Sequence, residues 1–556
     1  MPKYTAIEPI RIENRQWPDV QISSSPRWCA VDLRDGNQAL PNPLTLDQKK
    51  EYYLLLLEIG FKEIEVGFPS ASKDDYDFCR WLIDENQIPD DVMISVLAPS
   101  RPDLIEKTME ALKGYPKALV HIYVATSDLH REHVLGKTRE ETIEIVRSSI
   151  ATIKKCAAEQ SETRFYLEFS PEEFTDTDLD FAIEICDDVV DQWDPEEGET
   201  VILNLPATVE RRPPTHYADM IEVFMKKLRN IDKSVVSLHA HNDMGCAVAS
   251  TEMALQAGAH RVEGTLFGHG ERSGNVDLVT LILNLQYMGI DTGMDFSNLS
   301  KINEVVSRLT GFTPHPRHPY VGDLVFSAFS GSHQDAIHKC LMRKEEMMET
   351  FGQWKIPYLH VDPADYGRSF EKFIRINSQS GKGGIAHMIE LEHHIKLPRK
   401  FQVVLAKKVQ AYAESVSREI TSDELTEVFF DNFSNIEAPF KLAKYWPYPD
   451  EEKPSKIHAK VKAEFEGKKH ELKADGNGPI SAFVAACKTL DSIPEFTLDS
   501  YEEDSIGHTA KAKAVTFVIL KDSNGKPHYG VGTHKNIDQA AVRAVVAAMN
   551  NLLKNG

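Results

Sequence analysis

Cysteine is scarce and unpaired in this sequence. The seven residues lie at positions 29, 79, 156, 186, 246, 340 and 487, with no CxxC spacing among them. That excludes a disulfide framework or a thiolate zinc site and fits reduced thiols used as small buried apolar groups, as in a cytosolic protein. Long apolar runs are also missing. The longest lies within residues 52–57, and the N-terminus MPKYTAIEPIRIENRQWPDV has no apolar stretch behind its charges. No membrane span and no secretory leader are expected, and the cytoplasm is the expected location. Positive charge is in deficit, with 63 Lys+Arg against 85 Asp+Glu and a net charge of −22. Such a field repels phosphodiester backbones and anionic membrane surfaces, so no nucleic-acid or membrane partner is expected. An anionic substrate would need local cations or a metal to overturn that field. Finally, no GxGxxG follows the first β-rich run, where LRDGNQAL stands instead, which disfavours a dinucleotide-binding unit.

What is present is enough chain for several folded bodies. The length is 556 residues, beyond one compact core and matching roughly three or four domains. Hydrophobic residues at 42% and charged residues at 27% can fill cores and solvate a surface, which excludes disorder throughout. From Trp28 to about Leu266, short β-rich runs alternate with longer stretches of helical period. In order the runs are WCAVDL, KEIEVGF, VMISVL, ALVHIYVA, RFYLEFS, TVILNLP, VVSLHAH and HRVEGTLF. Between them, stretches such as LDQKKEYYLLLLEIG repeat apolar residues every three or four positions beside Lys and Glu, as amphipathic helices do. Eight such units in roughly 250 residues predict a closed parallel (β/α)8 TIM barrel, with a doubly wound open sheet as the competing architecture.

The expected division is an N-terminal extension over 1–27, the barrel over 28–294, a helical linker or lid region over 295–425 and a C-terminal α+β domain over 426–556. The linker region is interrupted by FTPHPRHPYVG and SQSGKGG. The last part contains an internal repeat: GKKHELKADGNGPISAFVAACKTL from Gly467 is echoed by GKPHYGVGTHKNIDQAAVRAVVAAMNNL from Gly525. Each copy reads as a strand pair, a Gly-rich turn and an Ala-rich helix. Two copies predict a pseudo-twofold module whose sheets need a partner surface, in itself or in a second chain.

In a parallel barrel, chemistry collects at the C-terminal ends of the strands. The polar residues gather there: Arg34 and Asp35 at the first run, His121 in the fourth, and Glu168, Ser170 and Glu172 in and after the fifth. The sixth ends at Asn204 with Thr208 just beyond, the seventh supplies His239 and His241, and Asn275 lies in the loop GHGERSGN after the eighth. Residues i and i+2 of a strand face one way, so His239 and His241 can share a cation; the alternative is two histidines hydrogen-bonded in a polar barrel layer. Asp35 and Asn275 would complete a mixed nitrogen and oxygen set that leaves room for a bidentate ligand. That set suits Zn²⁺, Mn²⁺ or Mg²⁺ without choosing among them. Arg34 is either salt-bridged, to Asp35 or to Glu63 and Glu65, or held over the metal to neutralise an enolate or alkoxide. Ser170 and Glu172, within SPEE, either serve the site or cap a helix.

Read together and in this order, LRDGNQAL, EVGFPSAS, LHAHNDMGCAVA, GHGERSGNVDLVTL and SGSHQDAI resemble the 2-isopropylmalate synthases, within the metallolyase-type barrel family that also holds homocitrate and citramalate synthases. FSGSHQDA, IPYL and NSQSGKGG are similar to the long form, and the resemblance covers essentially the whole chain. It implies a Claisen-type condensation of acetyl-CoA with 2-oxoisovalerate, giving 2-isopropylmalate and CoA, the committed step towards leucine. It also implies Asp35, His239 and His241 as ligands of a divalent metal, Asn275 as a nearby or additional ligand, Arg34 as the catalytic arginine, and a monovalent cation as activator. Glu172, His121, Ser170 and Thr208 match positions lining the ketoacid site, and Leu97, Tyr123, Asn204 and Pro206 match its wall. His333 and Tyr358 match a lid pair that the family delivers across a homodimer into the partner's barrel. The base is either Glu172 or that pair. In the family the C-terminal module binds leucine as a feedback effector where two copies meet. This carries over to Gly476, Gly478, Ile480, Ser481 and Tyr501, against the alternative that GNG is only a turn. His269 departs from the family, where Asn or Ile often stands between the two glycines. The competing functions are homocitrate or citramalate synthase, a hydroxyacyl-CoA lyase using the same metal and arginine, and a non-catalytic amino-acid sensor.

Overall fold

The eight β-rich runs become the eight strands of a closed parallel barrel, which excludes the open sheet. They are β1 (Arg27–Ala30), β2 (Glu63–Gly67), β3 (Met93–Pro99), β4 (Lys117–Ala125), β5 (Arg164–Glu172), β6 (Val201–Ala207), β7 (Ser234–Ala240) and β8 (Arg261–Gly264). β6 is buried along its whole length, as a strand covered by barrel interior and helices must be, and it is apolar but for Asn204. β1 closes the ring beside β8, with Trp28 opposite Val262 and Cys29 opposite Glu263. Local chemistry sets the helix limits: a Thr45–Gln48 capping box opens the helix Leu46–Ile59, and Gly60 at φ +114° ends it.

Two expectations at the barrel mouth need correction. Arg34 and Asp35 do not end a strand, because β1 stops at Ala30 and Asp32–Gly36 wind into a single π-helical turn. SPEE does not open a helix either. β5 runs through Ser170 to Glu172, and the next helical turn is Phe174–Asp176, so neither residue is a cap.

The computed structural model describes residues 3–328, 331–370, 382–416, 420–434, 436–453, 455–506 and 512–555; positions 378–381 of SQSGKGG, and 329–330 at the start of FSGSHQDA, lie outside them. Two compact units divide the chain, one of Met1–Val325 with Pro363–Ser369 and one of Phe326–Asp362 with Phe370–Gly556. This division does not coincide with the limits at 294 and 425 drawn from the sequence. The first unit keeps the helix Leu299–Thr310, and the N-terminal extension straps onto the barrel through Trp17, whose indole N–H donates to Asp219 at 2.8 Å. The cysteines are free, and no helix among the described residues is long and apolar enough to cross a membrane.

In the second unit each repeat is a three-stranded antiparallel sheet with a helix. One sheet joins β9 (Lys441–Pro449), β10 (Ile457–Phe465) and β11 (Lys468–Gly476), followed by the helix Pro479–Cys487. The other joins β12 (Phe496–Ile506), β13 (Lys513–Asp522) and β14 (Pro527–His534), followed by the helix Ile537–Asn555. Strand periodicity splits β13 between two cores: Val518 and Leu520 pack among the repeat helices, whereas Val515, Phe517 and Ile519 pack on the linker helices. The second sheet is therefore covered on both faces within the chain. On the first sheet Trp446 and Tyr448 of β9 stay exposed.

Candidate active site and metal centre

The turn Asp32–Gly36 and the end of β7 bring Asp35, His239 and His241 together. One ligand atom from each lies within 4.8 Å of the others. His239 Nε2 is 3.6 Å and His241 Nε2 3.9 Å from Asp35 Oδ2, too far for hydrogen bonds and spaced for a shared cation. Asp35 Oδ2 and Asn275 Oδ1 are buried and have no hydrogen-bond partner among the described residues. Asn275 pairs backbone to backbone with His241, and its Nδ2 donates to the carbonyl of His269 at 3.3 Å, which turns Oδ1 into an open acceptor. A buried carboxylate oxygen and an amide oxygen without partners, beside the Nε2 atoms of two imidazoles, form a donor set that fits a divalent cation.

The tautomer of His239 is fixed from behind. Its Nδ1–H donates to Glu263 Oε2 at 2.9 Å, leaving the Nε2 lone pair for a metal. Burial would lower the pKa of His239, but Asp35 and Glu263 outweigh it and push it up to about 9. Burial, with His239 alongside, takes His241 down to about 4. Burial also works against ionisation of Asp35, yet the adjoining Arg34 guanidinium and the two histidines hold it well below the usual carboxylate range. A Glu263→Gln variant should bind Mn²⁺ about 10–100-fold more weakly, with turnover recovering at high metal. Titration followed by electron paramagnetic resonance reads this, and unchanged affinity would refute the supporting role.

Behind this centre lies a buried ionic layer that sequence reasoning missed. Arg261, fully buried on β8, donates to Glu63 at 2.7 Å, to Glu168 at 2.9 Å and to Glu263 at 2.7 Å. Glu168 thus belongs to the barrel floor, not to the mouth. Asn204 Nδ2 donates to both Glu263 and Ser170 at 3.0 Å, and His121 bridges Ser170 and Glu65 at 2.7 Å each. Arg34 is in part the salt-bridged residue of the bland reading: Nη1 lies 2.6 Å from Asp35 and Nε donates to Glu65, while Glu63 is taken by Arg27 and Arg261. Those contacts hold the guanidinium at the cavity wall.

A cavity of about 170 Å³ opens in front of the three ligands. Arg34, Glu172 and every sequence-expected ketoacid contact line it: His121, Ser170 and Thr208, with Leu97, Tyr123, Asn204 and Pro206 as wall. Four further lining residues were not foreseen: Gln38, Phe68, Glu271 and Arg272. All four stand inside the quoted motifs LRDGNQAL, EVGFPSAS and GHGERSGN, which was the only signal available. Thr208 Oγ accepts the Glu173 N–H at 2.9 Å, which fixes the backbone beside Glu172. Glu172 is half-buried, and that burial, with Glu173 and Glu271 near, raises its pKa despite the opposing His130 and Arg34.

Arg272, tied to Asp243 at 2.7 Å, also borders a groove of about 1200 Å³ lined by Pro41, Pro43, Phe267, Arg308, Phe312 and His315 among others. His269 belongs to that groove. Its ring packs where a Cβ on Gly36 would stand, so it supports the π-helical turn from outside the smaller cavity.

The remaining expected residues lie in the second unit. His333 and Tyr358 stack on one another, ring centroids 3.8 Å apart at 20°. Gly476 ends β11 and Gly478 is the N-cap of Pro479–Cys487, where its N–H donates to Ser481 Oγ at 3.0 Å, with Ile480 in the first helical turn. GNG thus forms a strand-to-helix turn. Tyr501 lies on β12, bonded to Glu503, and packs at the edge of the same apolar core as Ile480.

Fold and site together define a (β/α)8 barrel with a donor set at its mouth that could hold a divalent metal, and residues 25–306 match the HMGL-like family. Residues 323–390 match the alpha-isopropylmalate synthase post-catalytic domain-like family, and 419–553 match the LeuA allosteric (dimerisation) domain. A 2-isopropylmalate synthase of Acetoanaerobium sticklandii is 44% identical over 99% of this chain and 96% of its own length. One of Rhodospirillum rubrum is 46% identical over 99% and 98%, and one of Pseudomonas putida 43% identical over 99% and 97%. The chain belongs to the 2-isopropylmalate synthase family and is an acyl-transferring enzyme.

Proposed function

We propose that this enzyme condenses acetyl-CoA with 2-oxoisovalerate, releasing 2-isopropylmalate and CoA in the first committed step towards leucine. The observation that carries the reading is the convergence of Asp35, His239 and His241 on a cavity walled by Leu97, Phe68 and Pro206, apolar surface suited to a branched side chain. Asp35, His239 and His241, with Asn275, would hold a divalent ion, Mg²⁺, Mn²⁺ or Zn²⁺, which would supply Lewis acidity towards the carbonyl of a 2-oxoacid. The chain supplies the rest. Glu172 takes a methyl proton from acetyl-CoA, and the carbanion carbon bonds to the ketone carbon. Arg34 offsets the negative charge that builds on oxygen. Water then cleaves the thioester, CoA leaves as thiol, and the step becomes irreversible. The stacked His333 and Tyr358, delivered from the second copy of a homodimer, are the competing base. The larger groove has room for the body of CoA. Leucine at the C-terminal module acts as inhibitor and a monovalent cation as activator, consistent with the match to an allosteric domain.

A base must be ionised, and the Glu172 pKa is raised, so turnover should fall as pH drops through a value above the ordinary carboxylate range. A Glu172→Gln variant should lose that acidic limb along with most of its rate. A limb that survives the substitution assigns the base to His333 and Tyr358. The substrate test is a panel of 2-oxoacids assayed for thiol release from acetyl-CoA, with and without chelator. Metal-dependent release with 2-oxoisovalerate supports the reading, whereas release with 2-oxoglutarate or pyruvate but not the branched acid points to the homocitrate or citramalate relatives.

A further inference from the structure

Lys49 is the one fully buried lysine in the described chain, and it lines neither the small cavity nor the groove. It projects from the helix Leu46–Ile59, lies 5.7 Å from the Phe78 ring centroid, and its ammonium pairs with Asp75. The same ammonium donates to the carbonyl of Leu33 at 3.4 Å, inside the π-helical turn and one residue before Arg34. The second Asp75 oxygen accepts the backbone N–H of Phe68 at 2.7 Å, and a Cβ on Gly67 would come within 2.8 Å of that oxygen. Phe68 is a wall of the substrate cavity. One chain of contacts, Leu33 carbonyl to Lys49 to Asp75 to Phe68, therefore ties the loop after β1 to the loop after β2.

A buried ion pair is weak evidence of stability, since apolar residues of equal volume often do as well. What such a pair does supply is direction: two charged groups with fixed donors and acceptors hold two loops in one relative position. We propose that Lys49 and Asp75 are positioning residues for the reaction. Through Leu33 they set the turn that carries Arg34 and Asp35, and through the Phe68 N–H they set the wall facing the 2-oxoacid. The inference rests on the reading of the cavity given above.

Two variants of the full-length enzyme separate the ends of the tie without stranding a charge. Lys49→Met with Asp75→Leu removes both ends. Lys49→Met with Asp75→Asn keeps an oxygen for the Phe68 N–H and frees only the Leu33 end. The first should lower kcat about 10–100-fold, raise KM for 2-oxoisovalerate, and weaken Mn²⁺ binding about 10-fold. The second should keep the wild-type KM while kcat and Mn²⁺ affinity stay reduced. A folded first variant with wild-type kcat, KM and Mn²⁺ affinity and only a lower melting temperature would overturn the proposal. If the first does not fold, an unchanged kcat in the second overturns it equally. Wild-type enzyme showing no ketoacid-dependent thiol release would instead refute the cavity reading, and the Mn²⁺ affinities alone would then judge the tie.

Discussion

Asp35→Ala should leave a folded protein with turnover reduced by at least about a thousandfold, the several kcal/mol of charge stabilisation that a well-held cation supplies. The loss follows from geometry. Asp35 Oδ2 faces both His239 Nε2 and His241 Nε2, has no hydrogen-bond partner among the described residues, and belongs to a carboxylate kept ionised beside Arg34 despite its burial. Without it only uncharged donors remain, the two imidazoles and the Asn275 amide oxygen, and they hold a hard cation weakly. Arg34 would also lose the partner that lies 2.6 Å away. Asp35→Asn is the sharper comparison, since it keeps shape and one oxygen. It should retain more metal than the alanine variant while still losing most turnover. Equal activity of the asparagine variant and wild type would mean that the carboxylate charge is not used.

The largest stability effect is expected at Arg261. Its guanidinium is buried and compensates Glu63, Glu168 and Glu263 at once. Arg261→Met should cost the barrel about 3–5 kcal/mol, the usual penalty for leaving buried charge unpaired. Urea unfolding at neutral pH measures it. The pH dependence gives a second check. Burial already raises the pKa of Glu168, with Glu263 adding to the effect and only Arg261 opposing it strongly. In the variant this carboxyl would bind its proton more tightly folded than unfolded. Its stabilising contribution is then fully present at low pH and lost as pH rises, so the deficit against wild type should shrink on acidification. A deficit independent of pH would mean that these carboxylates are not stranded by the change.

The barrel was legible because its signal is periodic: short apolar runs alternating with amphipathic stretches, eight times over. The mouth residues were legible for the same reason, since strand ends locate them. Where the backbone stops being periodic, legibility stops. The π-helical turn at Asp32–Gly36 reads in sequence as a continuation of β1, although its winding is what points Asp35 at the histidines. From the sequence Glu63 reads as a possible partner of Arg34 and Glu168 as a residue of the mouth, and nothing singles out Arg261. Only closure of the ring, with β8 beside β1, brings them into one buried layer. Phe68, Gln38, Glu271 and Arg272 reach the cavity from loops whose approach depends on packing, not on local pattern. The Gly-rich GNG stretch shows the opposite: a turn signal realised as a turn. In the C-terminal module, the surface expected to need covering is partly supplied from within, because the linker helices take one face of the second sheet.

Anomalous diffraction from crystals soaked with Mn²⁺ and 2-oxoisovalerate addresses the metal centre directly. One strong manganese peak should lie at coordination distance from the Asp35 carboxylate and from Nε2 of both His239 and His241, with the ketoacid's carboxylate and carbonyl oxygens completing the shell. Manganese bound elsewhere, with those three side chains unligated and the ketoacid outside their cavity, would contradict the account.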